Sequence, residues 1–176
     1  MYKQDLEQTL LDIDEEAELE IGPRDDRPSV VLVGGSAFML NDVTNRAVTH
    51  DIDVFEADRC LREIMARYPE VNGMAVAYCN QMPFNYEDRL IPLEIGAHFI
   101  RYFTPSLEDL AVMKLYAYRP NDIIDLHSRT FIDRLDWDLL ERLIFDDGEA
   151  LASSPSERSY QEMVCAYRQY KKEVLG

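Results

Sequence analysis

A run of aliphatic residues, Val30 to Val33, stops at Gly34-Gly35-Ser36, and further on two carboxylates flank an isoleucine in Asp51-Ile52-Asp53. No other feature constrains the chain so tightly. A β-branched run without alternation reads as a buried strand. Glycine at its end lets the backbone come close to a phosphate, and a helix starting there offers free N–H donors to it. On a second strand, residues two apart share a face. Asp51 and Asp53 therefore project together while Ile52 and Val54 pack inward. Adjacent carboxylates repel unless something positive lies between them, and Mg²⁺ bound through carboxylates and substrate phosphates is the usual solution. A lone Gly-Gly is more often a conformational turn, and a lone Asp-x-Asp a solvated strand edge. Together, in this order, they point to a site for a metal-bound nucleotide.

Gly-Gly-Ser, a spacer and then Asp-hydrophobic-Asp resembles the signature of the DNA polymerase β-type nucleotidyltransferase superfamily. Within it, Gly34-Gly35-Ser36-Ala37 with Arg46, Thr49 and Asp51-Ile52-Asp53 is similar to minimal nucleotidyltransferases that act as toxins of toxin–antitoxin systems, abortive-infection toxins included. A second block, Leu107-Glu108-Asp109-Leu110 with Lys114-Leu115, Ala117, Arg119, Asp122 and Asp125-Leu126, resembles the helical segment of those proteins. There the resemblance implies that a Lys and later Asp residues face the nucleotide. The likeness runs from about Val30 to Phe145. It implies an α/β (α+β) fold with a small mixed sheet carrying the carboxylates and C-terminal helices closing one side of the cleft.

Composition limits the partners. Thirty-four acidic residues against 18 basic ones give a net charge of −16, which repels nucleic-acid phosphates. Extended nucleic-acid binding is therefore disfavoured. Hydrophobic residues make up 47% of the chain, enough for a real core, yet no apolar run nears the roughly 20 residues that span a bilayer. The first residues lack the apolar stretch of a signal peptide, and the three scattered cysteines form no metal-ligand pattern. These features fit reduced thiols in a cytoplasmic protein.

Along the chain, residues 2–20 read as an amphipathic helix with Leu6, Leu10, Ile13 and Ala17 buried and an acidic solvated face that includes Asp14. Strands are expected at Ser29–Val33, His50–Phe55 and Met74–Tyr78. A short helix is expected at about Ser36–Asp42, and another at Asp58–Tyr68. Extended segments follow at Leu90–Ile95, where Pro92 argues for an edge, and at Phe99–Phe103. The rest reads as helices: one opened by Ser106 and Asp109, one resuming at Asp122, one capped by Asp136, and one opened by a capping box at Ser154-Pro155-Ser156-Glu157. The expected division is 1–104, a nucleotidyltransferase core with an N-terminal helix, and 105–176, a helical region packed on it.

The chemistry assigns roles. Transfer of an NMP from an NTP to an acceptor hydroxyl calls for at least two carboxylates around Mg²⁺ (or Mn²⁺), usually with a third on a neighbouring strand. Asp51 and Asp53 are the pair, and Glu94, between Leu93 and Ile95, is the candidate third; an exposed edge carboxylate is its bland alternative. Gly34, Gly35 and Ser36 are expected at the phosphates, Ser36 doubling as a helix cap. Arg46 is expected at the triphosphate, against a surface ion pair, and Thr49 at the turn. The resemblance implies that Lys114 reaches the nucleotide, although a snorkelling Lys fits the same position. Asp122 and Asp125 share a helix face and read as structural. The resemblance further implies an NTP substrate and a cognate antitoxin partner. The competing reading keeps the fold without the chemistry, as a nucleotide sensor or protein-binding partner. A third is an enzyme modifying small molecules such as aminoglycosides.

Overall fold

The computed structural model describes residues 1–73 and 81–176. It is an α+β protein with a five-stranded mixed sheet, an N-terminal helix and a C-terminal series of helices. The chain gathers into two compact units. The first comprises Met1–Asp42, Leu90–Thr104 and the described residues that run on from Arg46; the second comprises Pro105–Gly176, Val43–Asn45 and the described residues leading up to Arg89.

The first unit holds the helices α1 (Lys3–Ile21), α2 (Gly34–Leu40) and α3 (Arg62–Met65). Its strands are β1 (Ser29–Val33), β2 (Ile52–Ala57), β3 (Val71–Asn72), β4 (Ile91–Pro92) and β5 (Arg101–Thr104). The order across the sheet is β3-β2-β1-β5-β4. β1 pairs antiparallel with β2 and parallel with β5; β2 pairs parallel with β3, and β4 antiparallel with β5. Pro92 lies on an outer strand, where a missing N–H costs no ladder bond. Leu6, Leu10, Ile13 and Ala17 of α1 are buried with Val30, Leu32, Ile52 and Val54 in one core. Each large apolar side chain buried there contributes roughly 1.5–3 kcal/mol.

Asp14 departs from its expected place on a solvated face. It is 3% exposed, and its carboxylate accepts backbone N–H bonds from His98, Phe99 and Ile100. Arg27 holds the same loop from its other side, donating to the carbonyls of Ala97, Phe99 and Ile100. A loop with little ladder pairing thus has its polar groups satisfied by two side chains distant in sequence. The helix expected over 58–68 shrinks to a 3₁₀ turn at Arg59–Leu61 and the single turn α3. The strand expected at Met74–Tyr78 lies outside the described residues.

The second unit contains α4 (Leu107–Ala117), α5 (Pro120–Leu126), α6 (Arg129–Arg134), α7 (Trp137–Glu141), α8 (Glu149–Ala152) and α9 (Glu157–Leu175). Local chemistry sets the boundaries. Ser106 accepts the Asp109 N–H at the start of α4, and left-handed Tyr118 ends that helix just before Arg119-Pro120. Asp136 accepts the N–H groups of Asp138 and Leu139. Ser156, not Ser154, caps α9, accepting the Ser159 N–H; Pro155 therefore sits outside the helix. Tyrosine hydroxyls tie the helices together: Tyr116 to the Ala150 carbonyl, Tyr160 to Ile144 and Tyr170 to Leu126. Among the described residues, no helix is long and apolar enough to cross a membrane.

Candidate active site

The end of β1 turns into α2 at Gly34, whose φ of 64° lies in the left-handed region. Packing demands glycine here as well. A Cβ on Gly34 would overlap the Asp53 carboxylate, and one on Gly35 would overlap the Arg46 guanidinium and crowd the Thr49 hydroxyl. The glycine pair therefore brings main chain directly against an acid on one side and a base on the other. Val33 and Asp53 are partners across β1 and β2, so the ladder itself fixes this approach.

Asp51 immediately precedes β2 and Asp53 is its second residue. Both are half-buried. Asn72 on the neighbouring β3 is the register partner of Asp53. Its side-chain N–H₂ donates to Asp53 Oδ1 at 2.9 Å and to Asp51 Oδ2 at 3.4 Å. One amide nitrogen reaching both carboxylates shows that the two acids converge, as residues two apart should.

Ser36 is fully buried. Its hydroxyl donates to the Val33 carbonyl at 2.8 Å and accepts the Asp53 N–H at 3.3 Å. That hydroxyl ties the turn to β2 and so sets the position of Asp53. Thr49 is buried, and its hydroxyl donates to the Asp51 carbonyl at 3.2 Å. It shapes the entry to the strand, as expected from sequence.

Gly34, Gly35, Ser36, Arg46, Asp51 and Asp53 are thus gathered in the first unit. Glu94 is not brought to them. It is exposed and follows β4, and β1 and β5 stand between β4 and β2. At about 4.8 Å per strand, that separation is roughly 14 Å. Among the described residues, no three His, Cys, Asp or Glu side chains cluster as a metal site. The donor set nonetheless suits Mg²⁺, which takes one or two carboxylates and fills its remaining positions with water and substrate phosphates.

Lys114 lies in the second unit and makes ion pairs there with Asp122 at 3.0 Å and Asp125 at 2.8 Å. Asp125 also accepts from the Thr44 hydroxyl at 2.6 Å. Burial pushes the Asp122 carboxyl up; the Lys114 ammonium and the Arg119 N–H outweigh it and leave Asp122 below its ordinary value. The same acids that the sequence marks as structural hold the lysine.

Asn72 is the residue that sequence reading missed. Asn72-Gly73 looks like a helix stop, and only the pairing of β3 with β2 reveals its contact with the acids.

A mixed sheet carrying converging carboxylates beside a glycine turn is consistent with a small α+β nucleotidyltransferase core. The family described as nucleotidyltransferase of unknown function (DUF6036) matches residues 8–175, and the chain belongs to it. No curated protein and no solved structure matches the chain.

Proposed function

We propose that the protein is a Mg²⁺- or Mn²⁺-dependent nucleotidyltransferase of minimal polymerase β type that moves an NMP from an NTP to an acceptor hydroxyl. The convergence of Asp51 and Asp53 on one amide, with Gly34 packed against Asp53, carries this reading. Asp51 and Asp53 would hold the cation. When bound, it would supply charge stabilisation to the phosphates as they gain negative charge. The acceptor oxygen forms a bond to the α-phosphorus while the bond from that phosphorus to the bridging oxygen breaks. Pyrophosphate leaves, and the acceptor proton passes to solvent or to one of the two carboxylates. Arg46, against Gly35, suits the triphosphate. Ser36 and Asn72 act through the carboxylates they position. Lys114 is the second unit's candidate for phosphate neutralisation, the role that the family resemblance suggests.

The net charge of −16 favours a protein or small-molecule acceptor over a long nucleic acid. A place as the toxin of a toxin–antitoxin pair rests on the resemblance alone. The purified protein, labelled NTPs, Mg²⁺ and a cell lysate provide the test. Label transfer that disappears with Asp53→Ala supports the enzyme. NTP binding without any transfer supports a nucleotide sensor, a reading favoured by the lack of a third acid beside the pair among the described residues.

A further inference from the structure

At the far end of β1 from the glycine turn, the first unit contains a cavity of about 820 Å³. Ser29 opens β1 at this rim, whereas Gly34 follows its last residue. At about 3.3 Å per residue the strand separates the two places by roughly 15 Å. The rim is built by cross-strand bonds: Asp58 accepts the Ser29 N–H at 2.7 Å, and the Arg101 N–H donates to the Pro28 carbonyl at 2.8 Å.

Four arginines line this cavity, Arg24, Arg27, Arg59 and Arg101. The chain has nearly two acids for every base; among the described residues Arg67, Arg89, Arg129 and Arg158 pair with carboxylates, while Arg62, Arg142 and Arg168 do not. Among the described residues, none of the four around the cavity makes a carboxylate ion pair. Arg27 spends its donors on loop carbonyls and Arg24 donates to the Cys60 sulfur. The Arg59 and Arg101 guanidiniums donate no hydrogen bond among the described residues; Arg101 lies over the Phe103 ring. Guanidiniums that make no carboxylate ion pair have N–H groups suited to phosphate oxygens, which accept paired N–H bonds. Asp26, Asp58 and Glu63 share the lining. They repel a continuous polyanion and accept hydrogen bonds from hydroxyl or amino groups. The volume matches that of small-ligand sites.

We propose that this cavity is a second ligand site, for a small phosphorylated molecule of nucleotide size that also carries hydroxyl or amino donors. It is separate from the Asp51–Asp53 site and does not depend on the function proposed above. The test titrates the full chain with ADP in EDTA, following backbone amide shifts by NMR, with inorganic pyrophosphate and a single-stranded RNA 12-mer as parallel probes. ADP is expected to shift Ser29, Asp58, Cys60 and Arg101, and to do so equally in an Asp51→Asn/Asp53→Asn variant. Arg59→Ala and Arg101→Ala, both at exposed positions, are expected to weaken ADP by about tenfold each without changing the circular dichroism. Pyrophosphate is expected to bind more weakly than ADP. The proposal is overturned if those amides do not move, if the two substitutions leave ADP affinity unchanged, or if the 12-mer displaces ADP at the same residues.

Discussion

Two groups of acids in this protein have opposite arrangements. Asp51 and Asp53, half-buried at the start of β2, bring like charges together and both accept from the amide of Asn72. Asp122 and Asp125 are buried with Lys114 between them, so their charge is matched on the spot. The first sets two carboxylates side by side, the arrangement that the proposed function reads as a cation site; the second uses its charge in ion pairs with Lys114 within the second unit. Acids at functional sites tend to be of the first kind, at the expense of stability, and acids at structural sites of the second.

The contrast is open to attack by substitution, starting with the largest effect. Lys114→Met strips the cation from two buried carboxylates and is expected to cost about 3–5 kcal/mol in urea unfolding. Adding Asp125→Asn is expected to recover part of that loss, since one of the stranded charges disappears. If Lys114→Met unfolds at the wild-type midpoint, the second cluster is not structural. Asp53→Asn is the mirror case: it relieves a like-charge contact with Asp51 and is expected to cost less stability than Lys114→Met.

Gly34→Ala comes next. Its positive φ and the overlap with Asp53 are expected to cost roughly 1–3 kcal/mol in thermal unfolding. A neutral result there would mean that the turn does not press on the acid. Asn72→Ala is expected to change stability by less than about 1 kcal/mol while weakening Mg²⁺ binding some tenfold, as lost support of a metal ligand does. Calorimetry with Mg²⁺ would show this, and unchanged affinity would remove Asn72 from the site.

The pH dependence is the smallest effect. The Asp122 carboxyl is depressed in the folded state, so its contribution is present above the unfolded value of about 3.9 and is lost as pH falls through the folded one. Acid unfolding of Asp122→Asn is therefore expected to be shallower than wild type below about pH 4. Equal slopes would show that Asp122 gains nothing from Lys114.

Period-two geometry made the Asp51–Asp53 pair readable in the sequence, and the aliphatic run ending in Gly34-Gly35 marked the turn beside it. Both are local patterns. Glu94 illustrates the limit, since its distance from the pair depends on the strand order β3-β2-β1-β5-β4, which no local pattern encodes. Asp14 illustrates it again: amphipathic spacing places it among acidic neighbours, but its partners are loop amides at residues 98–100. Caps at Ser106 and Asp136 were legible because their partners lie within three residues. Ser154 and Ser156 both suit a cap by type, and only the backbone decides between them.

The proposed reaction needs a divalent cation held by Asp51 and Asp53 next to the glycine turn. Paramagnetic broadening by Mn²⁺ in the presence of an NTP addresses this directly. The expected result is selective loss of the amide signals of Gly34, Gly35, Ile52 and Asp53, abolished by Asp51→Asn/Asp53→Asn. Broadening centred elsewhere, or unchanged in that double variant, would contradict it.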